Sequence, residues 1–175
     1  MSIKQLIDIL EPPVSPVESK ANNDWGSITS RFNMPLPTDY MQFIDKYGSG
    51  EIGGWLTVFN PFSKNQNICL IDQLLYLLSG LRILKEKYPE ICPYPLMFEP
   101  AGILPWGISI DGDIYCWQTA GASGKWKVII IGRHSEPEEF DLTFSSFLSK
   151  AILGELESNT IPVEWKSEKV EFNNK

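Results

Sequence analysis

Apolar residues recur along this chain with two different periods, and the change of period marks where helices give way to strands. Ile3, Leu6, Ile7 and Leu10 fall at i, i+3, i+4 and i+7. That is the spacing of a short amphipathic helix, ended by Pro12 and Pro13 because proline lacks the amide donor and crowds the preceding turn. Glu11 to Asp24 carries turn formers such as Pro12, Pro13, Pro16, Asn22 and Asn23 and no periodic apolar face. It reads as a linker, with the first helix docked only loosely. Tyr40, Phe43, Ile44 and Tyr47 predict a second helix, with Pro37 in its first turn, Thr38 or Asp39 accepting from its free amides, and Gly48 at a left-handed exit. Ile52 to Asn60 reads as a single strand with Trp55, Thr57 and Phe59 on one face and Leu56 and Val58 on the other. Asp72 can cap a longer helix carrying Leu74, Leu75, Leu77, Leu78, Leu81 and Leu84, which stops at Tyr88 before Pro89.

After Pro100 the period shortens. Ile103 to Trp117 reads as a β-hairpin in which Asp111-Gly112 supplies a two-residue turn with both residues at positive φ. In that register Ile108 faces Tyr115 and Trp106 faces Trp117, a locally favourable aromatic pair. Thr119 to Gly124 is a loop, Trp126 to Ile131 a further strand, Glu136 to Asp141 an acidic turn, and Phe144, Phe147, Leu148, Ala151 and Ile152 a last helix starting near Thr143. Strands and helices are partly segregated, which argues for an α+β fold: a single domain, mainly an antiparallel β-sheet packed with several helices. The expected organisation is a short helix and Pro-rich linker over residues 1–24, the domain over 25–156, and a C-terminal extension over 157–175.

Composition narrows the chemistry. The 175 residues are 43% hydrophobic, with six Trp, six Tyr and nine Phe, too apolar and aromatic for disorder. The net charge is −7, and acidic residues outnumber basic ones 13 to 7 after Lys87 but only 9 to 8 from Met1 through Lys87. No cationic footprint for nucleic acid follows from such a balance. Met1 to Leu10 is too short and polar for a signal-peptide core, and no run approaches the about 18 apolar residues of a membrane span. No membrane partner and a cytoplasmic location are therefore expected. Cys69, Cys92 and Cys116 are widely spaced in apolar surroundings and read as buried reduced thiols. One histidine, His134, and no Cys-x-x-Cys pair leave no metal site to expect, and Asp111-Gly112-Asp113 reads as a turn rather than a calcium loop. His134 reads as a solvated residue at a strand end. No cofactor and no catalytic residue stand out. Trp106, Trp117 and Trp126 read as core, whereas Trp25 and Trp165 lie in less patterned segments and suit exposed anchors.

The segment Leu36-Pro37-x-Asp39-Tyr40-x-x-Phe43-x-x-x-Tyr47-Gly48-Ser49-Gly50 and the strand after it resemble the SUKH superfamily, named in part for a yeast cell-wall-synthesis regulator. Ile103-Leu104-Pro105-Trp106-Gly107, followed by Asp111-Gly112-Asp113 and Cys116-Trp117, is similar to that superfamily's second signature, and Thr143-Phe144-x-x-Phe147-Leu148 to its closing helix. The resemblance implies an α+β domain without catalysis. As for most bacterial members, it further implies an immunity protein that binds and neutralises a cognate polymorphic toxin, often a nuclease. The superfamily's eukaryotic members supply the alternative of a regulatory or scaffolding domain, and an enzyme remains a third class. On the first reading the partner is a basic toxin domain, met by the acidic turns Asp111 with Asp113 and Glu136, Glu138, Glu139 with Asp141, and by Trp165 as an anchor. The oligomeric state is not legible.

Overall fold

A computed structural model describes residues 3–19 and 24–175 of the chain. The Asn22-Asn23 part of the expected linker lies outside these residues. The elements run α1 (Ile3–Ile9), α2 (Trp25–Phe32), α3 (Thr38–Tyr47), β1 (Gly50–Ile52), β2 (Leu56–Val58), α4 (Leu70–Lys87), β3 (Ile103–Ser109), β4 (Ile114–Gln118), β5 (Val128–Ile131), β6 (Glu138–Phe140), α5 (Phe144–Ile152) and β7 (Phe172–Asn174). The strands form one antiparallel sheet in the order β6-β5-β4-β3-β2-β1-β7. The fold is α+β, as the patterning implied. Successive side chains of a strand face opposite ways, so Tyr115 and Trp117 of β4 lie on the side covered by α3 and α5, while Ile114 lies on the side of α4.

An aromatic block fills the first of these layers. The indoles of Trp106 and Trp117 stack at 5.8 Å between ring centroids, Phe144 meets Trp106 edge-on at 4.9 Å, and Tyr40 meets Trp117 edge-on at 4.9 Å. All four rings are buried. The hairpin register differs from expectation. Leu104, not Trp106, lies opposite Trp117, and Gly107 lies opposite Tyr115. The connection is three residues, Ile110 to Gly112, closed by the Gly112 amide on the Ser109 carbonyl at 3.0 Å, with Gly112 alone at positive φ (91°). A one-residue shift reverses which face a side chain occupies. A β-bulge between Pro105 and Gly107 re-aims Trp106, so the two indoles still stack although they are not directly opposed.

Three further expectations change. The single strand over Ile52 to Asn60 is broken by Gly53 and Gly54, both at positive φ, into the β1-β2 hairpin. The acidic turn at Glu136 to Asp141 contains an edge strand, β6, paired to β5. Asp39 does not serve the first turn of α3 alone. Its Oδ2 accepts from the Ser145 amide at 2.8 Å and the Ser145 hydroxyl at 2.9 Å, capping the start of α5 from 106 residues away. Two elements were not legible in the apolar period. Asp24 caps α2 through the Ser27 amide, and β7 pairs with β1 so closely that a Cβ at Gly50 would lie 2.3 Å from the Asn173 carbonyl oxygen.

The N-terminal segment is not loosely docked. Leu6 and Leu10 are fully buried, and the Tyr47 hydroxyl donates to the Leu10 carbonyl. Beyond them, Val17 bridges to Gly48 and its carbonyl accepts from the Ser49 amide at 2.8 Å. The Glu18 carboxylate accepts from the Ser49 hydroxyl at 2.6 Å and the Lys64 amide at 2.8 Å, while the buried Asn60 donates to Ser49 Oγ at 3.0 Å. Burial works to raise the Glu18 pKa, but hydrogen bonds from Lys64 and Ser49 outweigh it and hold the carboxyl below its usual value.

Truncating Trp106 or Trp117 to Ala is expected to cost about 3–5 kcal/mol in chemical denaturation, the range for large buried aromatics. The Glu18 network predicts a pH effect. A depressed carboxylate pKa stabilises the fold above the unfolded value, and that stabilisation is lost as pH falls through the folded one. The stability advantage of wild type over Glu18→Gln, measured by urea unfolding, should therefore be full above about pH 5 and vanish in acid.

Candidate partner-binding surface

Three connections meet at one end of the sheet: the β3-β4 turn, the segment from Gly132 to Pro137 between β5 and β6, and the C-terminal stretch at Asn159 and Thr160. Asp113 holds the first two together. Its Oδ2 accepts from the Ser109 hydroxyl at 2.8 Å and its Oδ1 from the Arg133 amide at 2.9 Å, and only 6% of the residue is exposed. The Arg133 guanidinium reaches back to the Asp111 carbonyl at 3.4 Å. A cleft of ≈ 580 Å³ opens between Asp111, Arg133, His134 and Thr160. A second, of ≈ 650 Å³, opens between Glu90, Ile91, Arg133 and Glu136. A third depression, an apolar groove of ≈ 370 Å³, runs between α4 and the sheet and also reaches Arg133.

The acidic residues singled out in the sequence divide into two groups. Asp111 and Glu136 are exposed, and both border the clefts that share Arg133. Asp113, expected at the surface, is instead consumed by the turn it braces. Glu138 turns inward, its carboxylate accepting from the Ser158 hydroxyl at 2.6 Å and the Asn159 amide at 2.8 Å, which ties the C-terminal segment to the edge strand. Glu139 pairs with Lys127 at 2.8 Å and accepts from the Tyr94 hydroxyl at 2.8 Å, and the Lys127 contact holds its pKa down. Asp141 is exposed within the influence of Lys127, beyond the end of β6. Trp165 is not an exposed anchor. It is 6% exposed, packed edge-on against Trp55 at 5.8 Å and over Gly53 in the β1-β2 turn. Trp25 is half-buried, edge-on to Phe62 at 4.8 Å, with its indole N–H on the Asp45 carboxylate at 3.1 Å.

Two charged cleft residues carry no signal as binding candidates in the sequence. Arg133 gives no periodic signal, and Glu90 lies in the exit from α4, where a charged residue reads as ordinary solvation. Among the described residues no group of three or more His, Cys, Asp or Glu is placed to hold a metal ion, and no helix is long and apolar enough to cross a membrane. The surface presents open clefts edged by Asp111, Glu136 and Glu90, with Arg133 and its neighbour His134 between them.

A family model of the SUKH group, SUKH_6, described as SMI1-KNR4 cell-wall, matches residues 22–148. The chain belongs to this family. The matched span runs from the start of α2 into α5, and so takes in both the Asp39-to-Ser145 joint and the Asp113 brace. No curated protein and no solved structure matches the chain significantly. The SUKH match therefore identifies the domain, and the surface has to be read from its own chemistry.

Asp113→Ala is expected to lose about 1–3 kcal/mol of stability, because the Arg133 amide and the Ser109 hydroxyl lose their acceptor. Asp111→Ala, at an exposed turn, should stay within about 0.5 kcal/mol of wild type. Urea midpoints of the two variants check both.

Proposed function

We propose that this SUKH protein is a non-enzymatic immunity protein that binds and neutralises a basic toxin domain, such as a nuclease, in the cytoplasm of the cell that makes it. The observation that carries the reading is the pairing of family membership with a carboxylate-edged surface built on loops held rigid from beneath. A nuclease presents a basic cleft to phosphates. A protein with carboxylates on a preformed surface both draws such a cleft in and competes with its substrate. The residues proposed to meet the partner are Asp111 and Glu136, joined by Glu90, with Asp141 further along the same edge. Glu138 and Glu139 contribute by holding the edge strand and the C-terminal segment in place.

Co-expression with basic nuclease toxin domains, beginning with any encoded near this gene, tests the reading. Growth rescue with formation of a stable complex supports it, whereas a toxin that stays active in the presence of folded protein favours a scaffolding role. In surface kinetics, the double reversal Asp111→Lys with Glu136→Lys should slow association by about tenfold or more at low salt and flatten its salt dependence. Association rates equal to wild type would remove this edge from the interface.

A further inference from the structure

Gly80 stands near the middle of α4, an 18-residue helix, where a glycine is a cost rather than a convenience. Most helical glycines are explained by a neighbour that needs the room. Here a Cβ would meet nothing within 4 Å, so nothing in the fold forbids a side chain. The residue is exposed, and it lines the apolar groove between α4 and the sheet. Tyr76 and Leu84, one turn to either side, form shoulders above this notch, and Ile108, Ile114 and Ile131 form the opposite wall. Tyr76 is 72% exposed although it borders an apolar groove, an arrangement that solvation alone does not favour.

The charges around the groove indicate what fits there. Its lining shares Arg133 with the two clefts, and Ile91 with the one edged by Glu90 and Glu136. The exposed carboxylates along this path are Glu90, Asp111 and Glu136; the cation they surround is Arg133, whose guanidinium already donates to the Asp111 carbonyl. An apolar socket beside an acidic edge complements a segment that carries one large apolar side chain flanked by lysine or arginine. We infer that the groove at Gly80 is the apolar anchor socket of the partner interface, receiving one bulky side chain of a basic protein segment while the carboxylate edge receives its flanking cations. This rests on the immunity reading for the identity of the partner, but not for the chemistry of the socket. It also explains the glycine: α4 gives up helix stability so that the floor of the groove stays open.

The test uses the full-length protein with Gly80→Ala, Gly80→Leu and, as control, Ser79→Ala, which alters the same helix without lining the groove. Gly80→Ala should raise the melting midpoint by about 2–4 °C, the helix-propensity gain in a chain of this size. A lower midpoint would mean that the fold requires the glycine, and would overturn the proposal. Affinity for a toxin domain that the wild type neutralises in the co-expression test should fall at least tenfold in Gly80→Leu and be retained in Ser79→Ala. Binding that survives Gly80→Leu unchanged overturns the socket and leaves the immunity reading standing. Should the wild type bind no such toxin domain, that reading fails, and the socket is tested by a lysine-flanked tryptophan peptide followed by amide and methyl NMR. Saturable shifts at Gly80, Ile114 and Ile131 that are absent in Gly80→Leu and with a glutamate-flanked peptide support it; no shifts overturn it. Sedimentation showing a wild-type dimer that Gly80→Leu dissociates would assign the groove to a second copy of this chain and overturn it as well.

Discussion

Two stacked indoles, Trp106 at the bulge of β3 and Trp117 on β4, have to be kept from water, and much of the fold is the cover they require. Burying aromatic rings is the largest apolar gain per residue available to a chain, and edge-to-face neighbours add about 0.5–1.5 kcal/mol per pair. Phe144 from α5 and Tyr40 from α3 supply those edges. The two helices are then locked to each other by a polar joint, Asp39 on the amide and hydroxyl of Ser145, which helps satisfy the start of α5 inside this layer. Packing sets where the helices lie, and the carboxylate sets their register.

The same economy governs the acidic residues. A net charge of −7 looks like one patch when counted along the chain, but in the fold the carboxylates have separate duties. Glu18 pins the N-terminal strap, Asp113 joins two turns, Glu138 holds the C-terminal stretch, and Glu139 pairs with Lys127. A carboxylate spent on buried amides is unavailable to a partner. The exposed carboxylates around Arg133 are Glu136, Glu90 and Asp111, the last also accepting from the Trp55 indole at 3.4 Å.

The apolar groove beside this edge follows from how α4 meets the sheet. Leu74, Leu77, Leu78 and Leu81 bury one side of the helix, while the strand residues Ile108 and Ile114 are only partly covered. A side chain at position 80 would have filled part of that gap. Its absence leaves an open apolar groove beside the exposed carboxylates.

Much of the architecture was legible in the residues alone. The 3.6-residue period placed α1, α3, α4 and α5, the period of two placed β3 to β5, and the three ordered motifs pointed to the SUKH family. These signals survive in sequence because each element must present one apolar face, whatever it packs against. Short pieces offer too few positions for such a signal: β7 and β6 are three residues each, and α2 buries only Ile28 and Phe32. The hairpin register, the burial of Trp165 and the inward turn of Asp113 and Glu138 were decided by tertiary structure. Each depends on where a donor or a ring from a distant segment comes to rest, as when Asp39 finds Ser145 across 106 residues. Periodicity tells a side chain which way to face, but only the assembled fold decides whether water or another residue is waiting there.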